Sequence, residues 1–120
     1  MGMSYRIDKA NRVVRTRGWG VLLASDVQDV MSRILVDPQF DADFRSLADL
    51  TEVTKVVVDN MSVAETASQP IFDFGTRRAI VASSDAVFGM ARMFATMAER
   101  TGQEVRVFRE MQPAEEWLEL

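Results

Sequence analysis

The strongest constraint on the fold is a regular alternation of short apolar runs with capped, amphipathic segments along the 120 residues. After two strand-like segments at the start, helical patterns and strand-like runs follow one another to the end of the chain. Such alternation favours a mainly parallel sheet, because parallel neighbours are joined by crossovers that are usually helical. The sequence therefore predicts one α/β domain over residues 1–120, with a mixed, mainly parallel sheet, an N-terminal β-hairpin and helices packed on it.

The predicted strands are short runs with alternating or β-branched apolar residues. The first two are joined by a turn at Lys9–Asn11, and Val56–Val58 is a second β-branched run after the third. In chain order these segments are Tyr5–Asp8, Arg12–Trp19, Phe44–Leu50, Val56–Val58, Ala79–Ala82 and Glu104–Phe108.

Four segments have helical periodicity together with start or stop signals. Ser25 with Gln28, and Ser62 with Glu65, have the spacing of capping boxes. The predicted helices are one that begins at Ser25 and stops at Pro38, a short one from Ser62 that ends before Pro70, a long one over Asp85–Arg100 capped by Ser84, and a last one with Pro113 in its first turn. Gly89 inside the long helix indicates close packing at that point.

The chain contains no histidine and no cysteine. Disulfides, thiolate nucleophiles, zinc fingers and histidine-dependent catalytic triads are therefore excluded. The sequence predicts no catalytic residue, no metal site and no cofactor, so we expect a protein that is not an enzyme. No run approaches the roughly 20 apolar residues of a membrane span, and the absence of cysteine fits a reducing compartment. We therefore expect no transmembrane segment and a cytoplasmic location.

Charge is unevenly distributed. Residues 1–20 carry five Lys or Arg against one Asp, a net charge of +4, while the remaining residues carry nine against seventeen, a net charge of −8. Such a basic hairpin on an acidic body either steers an anionic partner or protects an edge strand from aggregation. Because the overall charge is −4 and no aromatic residues are interleaved with these arginines, we expect no nucleic-acid partner.

The long helix carries Met90, Met93 and Phe94 on one broad face. A face of this kind either packs on the sheet as ordinary core or lines a pocket or partner groove, because methionine adapts to varied shapes. In the second interpretation, Trp19 and Trp117 complete the lining of an apolar ligand cavity.

A second candidate site is the segment Asp59, Asn60, Met61 and Ser62. It joins a predicted strand to a helix, where functional loops of α/β proteins collect. Ser62 is either the cap of that helix or a hydroxyl exposed for phosphorylation.

Seven segments together resemble the STAS domain, the fold of bacterial anti-sigma-factor antagonists, and most closely its small SpoIIAA-like branch, which is also similar to the CRAL-TRIO lipid carriers. The resemblance covers nearly the whole chain. The segments are Gly18–Leu22, Phe40–Phe44, Leu47–Thr54, Arg78–Ala82, Phe88–Phe94, Glu104–Arg109 and Trp117–Leu118.

This resemblance implies a non-enzymatic regulatory or protein-interaction domain, with a protein partner or self-association. In STAS antagonists a phosphoacceptor begins the helix after a central strand, typically within Asp-Ser-Ser-Gly. The comparable segment here is Asp59–Val63, which lacks the paired serines and the glycine, so only Ser62 corresponds. The alternative is a carrier of a small hydrophobic or lipid-like ligand, and a cavity beneath the methionine-bearing helix would distinguish the two.

Overall fold

Five strands and four helices follow one another in the computed structural model, which describes residues 2–69 and 71–120. Their order matches the alternation predicted from the sequence. The elements are β1 (Met3–Asp8), β2 (Val13–Leu23), α1 (Ala24–Val36), β3 (Arg45–Val57), α2 (Asn60–Ser68), β4 (Arg77–Val81), α3 (Asp85–Glu99), β5 (Glu104–Phe108) and α4 (Met111–Trp117).

The strands form one sheet in which spatial order equals chain order, β1-β2-β3-β4-β5. β1 and β2 are antiparallel, and the other three pairs are parallel. The predicted mainly parallel sheet with an N-terminal hairpin is confirmed. Because the sheet grows in one direction through crossovers, helices joined with the same hand lie on the same face.

The two faces of the sheet are covered unequally. The inner face packs against α1, α2 and α3, with a core that includes Val14, Leu22, Val30, Ile34, Phe44 and Val87. The outer face packs against α4 through Val13, Leu47, Ala79, Val81, Ala114 and Leu118. In the described part of the chain, no helix has both the length and the apolar character needed to cross a membrane.

Two strands are longer than the sequence patterns predict. The runs at Phe44–Leu50 and Val56–Val58 belong to one 13-residue strand, β3, because the polar residues between them continue the pairing with β2. β2 in turn extends through the glycine-rich segment to Leu23. Its register shifts around Gly20, whose φ of +62° favours glycine, so the segment is an irregular strand rather than a loop.

Two of the three predicted helix caps are wrong. α1 begins at Ala24, and the Asp26 carboxylate accepts a hydrogen bond of 2.9 Å from the Leu23 N–H, so Ser25 lies inside the first turn. α2 is capped by Asp59 rather than by Ser62. In α1 the carboxylate binds the N–H of the residue that precedes the helix, and in α2 the Asp59 carboxylate accepts from the Ser62 N–H in the first turn, so neither serine is the N-cap. The cap at Ser84 is confirmed, since its hydroxyl accepts from the Val87 N–H.

The predicted end of α2 before Pro70 agrees with its last helical residue, Ser68. Pro70 itself lies outside the described residues.

Two of the five cations of the basic hairpin pair with carboxylates elsewhere in the chain. Arg12 pairs with Asp43 at 2.5 Å, and Arg17 pairs with Glu52 at 2.6 Å. Arg15 lies 3.7 Å from Asp8 within the hairpin itself. These pairs reduce the positive potential that an anionic partner would meet. The edge-protecting interpretation is wrong for Arg15 and Arg17, because they lie on β2, which is hydrogen-bonded on both sides, to β1 and to β3.

Gly89 does not mark a close contact, contrary to the sequence-based interpretation. It lies on the exposed side of α3, and a Cβ built there meets no heavy atom within 4 Å. Gly102 differs, because its φ is +86° and a Cβ would lie 2.0 Å from the Phe74 ring.

We therefore predict opposite effects for two glycine substitutions. Gly89→Ala should raise the free energy of unfolding by about 0.5–1 kcal/mol, since alanine has the higher helix propensity and here costs no contact. Gly102→Ala should lower it by about 1–2 kcal/mol because of the left-handed backbone. Urea denaturation of both variants checks this, and a loss of stability in Gly89→Ala would contradict it.

Candidate functional site

Small side chains occupy the centre of the inner sheet face. Thr16 of β2 pairs with Ala48 of β3, and Ser46 of β3 pairs with Arg78 of β4. Opposite them, α3 presents Ala91. Because small residues face one another at this point, the sheet and the helix leave unfilled space between them.

The unfilled space is a cavity of about 120 Å³ between the inner sheet face and α1, α2 and α3. Its walls are mostly apolar and come from all three of these helices and from four strands, β1 to β4. The helical side chains that line it include Val27, Met31, Val63, Val87, Met90 and Phe94. Ala48 and Ile80 belong to central strands yet are only partly buried, so the cavity is open in part to solvent.

The cavity is large enough for a small organic molecule. An apolar cavity of about 150 Å³ in another protein stays dry and binds benzene. The hydroxyl residues Thr16 and Ser46, each more than nine-tenths buried, also line the space. The arrangement can therefore hold an apolar group and contact a polar one.

One wall residue is charged. Arg78 is 7% exposed and lines the cavity from the middle of the sheet. Its guanidinium carbon lies 4.5 Å from the Phe72 ring centroid and 5.4 Å from that of Phe94. Nη1 donates a hydrogen bond to Gln103 Oε1, whereas Nε has no partner among the described residues. Burial lowers the pKa of Arg78 to about 10, so the side chain is still charged at neutral pH.

A short hydrogen-bond network holds this arginine. Gln103, itself buried, donates from Nε2 to the Ala67 carbonyl of α2 at 2.6 Å and to Thr101 Oγ1 at 3.0 Å. Gln103 thereby uses its amide group to connect Arg78 with the C-terminal end of α2.

Sequence reasoning missed Arg78 because the predicted strand began one residue later, at Ala79. The signal that could have found it is the period of two along β4, which puts Arg78 on the same face as Ile80. A charged residue on the inward face of a central strand is uncommon unless it is paired.

The predicted segment at the start of α2 lies partly in the cavity and partly in solvent. The Asp59 carboxylate accepts from the Ser62 N–H at 2.7 Å. Hydrogen bonds from the N–H and the hydroxyl of Ser62 hold the pKa of Asp59 below its usual value. Ser62 is partly buried and lines the cavity, whereas Asn60 and Met61 are exposed, Met61 by 71%.

The predicted apolar face is brought together only in part. Met90 and Phe94 line the cavity. Met93 does not, because about 100° of rotation per residue separates it from Phe94 around the helix.

The two tryptophans were wrongly assigned to this lining, because both lie on the outer side of the sheet. Trp19 alternates with the inward Gly18 and is 5.1 Å from the Arg17 guanidinium carbon. Trp117 belongs to α4 and packs on Phe108 with 5.8 Å between the ring centroids. The sheet separates both rings from the cavity.

A solved structure from Shewanella loihica, an uncharacterised protein of the DUF3478 family with a SpoIIAA-like fold, matches this architecture with a TM-score of 0.62. The match covers 98% of this chain and 94% of the other, at 17% sequence identity. This chain has a SpoIIAA-like fold. No protein-family model matches the sequence, and neither does any curated protein.

Acidic side chains do not form a second site in the described ranges, residues 2–69 and 71–120. No group of three or more there lies close enough together to hold a metal ion. The cavity of the SpoIIAA-like sheet, with Arg78 and the start of α2 at its walls, is therefore the candidate functional site.

The cap at Asp59 gives a pH-dependent prediction. Because the folded state holds the pKa of Asp59 below the ordinary value of 3.8, the stabilisation of α2 by the carboxylate is present at neutral pH. It is lost as the pH falls from 3.8 through the lower folded-state value. Asp59→Ala should therefore lower the amide protection of α2 a few-fold at pH 7, measured by hydrogen exchange.

The difference between the wild type and Asp59→Ala should shrink as the pH approaches 3. Asn60→Ala, at the neighbouring exposed position, is the matched control and should leave the protection unchanged. Equal protection of α2 in wild type and Asp59→Ala at pH 7 would contradict the assignment of this cap.

Proposed function

We propose that the chain is a non-enzymatic binding domain for a small apolar or amphiphilic ligand, held in the cavity beneath α3. The single observation that carries this proposal is the cavity itself, about 120 Å³ and walled mainly by apolar side chains. This is the hydrophobic-ligand alternative left open by the sequence. The cytoplasmic location expected from the composition belongs to the same proposal.

The energetics of the cavity support a function for it. Unfilled space beside packed side chains costs them van der Waals contacts. Larger side chains at Ala48 or Ala91 would remove that cost, and cavity filling is a common way to stabilise a protein. Retaining small residues there fits a site whose stability is restored when a ligand occupies it.

The wall chemistry supports a ligand of variable shape. Met31 and Met90 line the cavity from α1 and α3, and methionine adjusts to irregular neighbours at little cost. The partly buried positions Val58 and Ser62 lie on the α2 side. A ligand with an apolar body and a polar end fits these walls better than a fully polar one.

Native mass spectrometry of the freshly purified protein tests this proposal. We expect the wild type to carry a small-molecule adduct, or to take up added 1-hexanol saturably. Ala91→Leu should abolish either signal, because the added carbons occupy the cavity, and should raise the free energy of unfolding by about 1 kcal/mol. Ala86→Leu, the same change on the exposed side of α3, should retain binding. A wild type that neither carries an adduct nor takes up 1-hexanol would refute the proposal.

We also propose, as a second candidate, a regulatory protein–protein contact through the start of α2. The observation that favours it is Met61, a large apolar side chain 71% exposed beside the capping residue Asp59. Isolated apolar residues on a surface are common, so this candidate rests on less than the cavity does. Phosphorylation of Ser62 belongs to this candidate, and its partly buried position at the cavity wall is less favourable to a kinase than an exposed hydroxyl.

Self-association through this surface would give a dimer that depends on Met61. Met61→Asp should then convert the dimer to monomer in native mass spectrometry, because the carboxylate would lose its hydration at the contact. Phe74→Asp, at another exposed apolar residue (86% exposed), is the control and should leave the dimer intact. A monomer in all three proteins would exclude self-association by this route.

A further inference from the structure

We propose that the cavity selects ligands that carry a carboxylate, and that the guanidinium of Arg78 binds this group. The inference rests on the proposed ligand-binding function and names the chemical class of the ligand. Its support is separate from the cavity volume. It comes from one side chain, Arg78, which has no counter-ion in the described part of the chain and whose guanidinium has a free edge.

Arg78 is a buried cation without an anion. It is 93% removed from solvent, since 7% of its surface is exposed. The ion pairs among the described residues involve Arg12, Arg15, Arg17, Arg33, Arg77 and Arg109, and none involves Arg78. A buried charge is costly unless it is paired and hydrogen-bonded. A ligand carboxylate would supply the missing partner.

The contacts that Arg78 does make leave one side of its guanidinium free. Phe72 and Phe94 lie near it, at 4.5 and 5.4 Å from their ring centroids, and Nη1 is used by Gln103. The remaining edge consists of Nε and Nη2, and Nε has no hydrogen-bond partner. Two parallel N–H donors at such an edge match the two oxygens of a carboxylate.

The path to this edge runs through the cavity. Arg78 lines it together with Phe94, whose ring is only partly buried on α3. Nε itself is shielded from solvent, so a carboxylate that binds it displaces one of the side chains packed against the guanidinium. The ligand's apolar part then occupies the space between Ala48 and Ala91.

The charge balance favours a carboxylate over a phosphate. Arg78 is the charged residue of the lining, and the other polar members, Thr16, Ser46, Ser62 and Thr66, are hydroxyl residues. One guanidinium balances one carboxylate charge. A phosphate monoester with nearly two charges would leave part of its charge buried without a partner.

Isothermal titration calorimetry with hexanoate and 1-hexanol tests this selectivity, because the two probes share an apolar chain and differ in the head group. We expect the wild type to bind hexanoate about tenfold more tightly than 1-hexanol, the effect of a charge-assisted hydrogen bond. Arg78→Met should weaken hexanoate binding about tenfold and leave 1-hexanol binding unchanged. Arg77→Met, on the outer face of β4 next to Trp117, should change neither.

The outcomes separate the two proposals. Equal affinity of the wild type for both probes, or binding of 1-hexanol alone, would overturn the carboxylate inference and leave the ligand-binding function standing. Binding of neither probe would overturn both. A hexanoate preference that persists in Arg78→Met would show that another residue selects the carboxylate, which also overturns the inference.

A second measurement on the wild type keeps the inference testable if Arg78→Met does not fold. The Nε–H resonance of Arg78, assigned through the backbone in a ¹⁵N NMR spectrum, should shift on titration with hexanoate and not with 1-hexanol. An Nε–H signal that hexanoate leaves in place while binding is seen by calorimetry would refute the role of Arg78.

Discussion

The order of the strands is the constraint on which the rest of the structure depends. The sheet grows in one direction, from β1 to β5, without a reversal. All three crossover helices are therefore collected on one face, and only the short α4 remains for the other. A face that must accept three helices has its largest interior where they converge, and at that point the sheet carries Thr16, Ser46 and Ala48. The cavity follows from topology and small side chains together.

The buried arginine connects that interior to the helix most weakly attached to it. α2 buries only Val63 and Ala67 among its described residues, whereas α3 buries four residues along its length. The Ala67 carbonyl accepts from Gln103, and Gln103 holds Arg78. A polar network of this kind is stable only when its members are hydrogen-bonded. Arg78 Nε has no hydrogen-bond partner among the described residues, and this unsatisfied group lies in the same region as the cavity.

The hydrophobic periodicity and the turn signals of the sequence were sufficient to predict the architecture. Alternating apolar runs predicted the mainly parallel sheet and its hairpin, because strand and helix periods differ whatever the tertiary context. Cap assignment failed at Ser25 and Ser62, since both helices begin before the serine, α1 at Ala24 and α2 at Asn60. The predicted lengths of β2 and β3 were also wrong. The polar residues of these strands pair across the sheet with one another, and that pairing leaves no apolar pattern in the sequence.

The site was harder to predict than the fold, since a cavity is a property of facing surfaces. Met90 and Phe94 could be assigned to an inward helix face from their spacing. Trp19 and Trp117 lie on the outer side of the sheet. This placement depends on which face of the sheet each strand and helix packs against, and the local sequence does not determine that. The burial of Arg78 could not be predicted for a related reason, because it results from the packing of β3, α3 and β5 around this side chain. Its immediate neighbour Arg77 lies at the surface and pairs with Glu104.

The two proposed functions share one helix, and this relates them physically. At the start of α2, Ser62 lines the cavity while Met61 next to it faces solvent. At its end, Ala67 is bonded to the residue that holds Arg78. A ligand that contacts Arg78 and the cavity wall therefore acts on both ends of α2. If cavity occupancy shifts α2, a partner that recognises Met61 would bind with an affinity that depends on the ligand, and by linkage the ligand would depend equally on the partner. The proposed binding cavity and the proposed regulatory contact therefore involve two surfaces of the same helix, in which only Val63 and Ala67 are buried among the described residues.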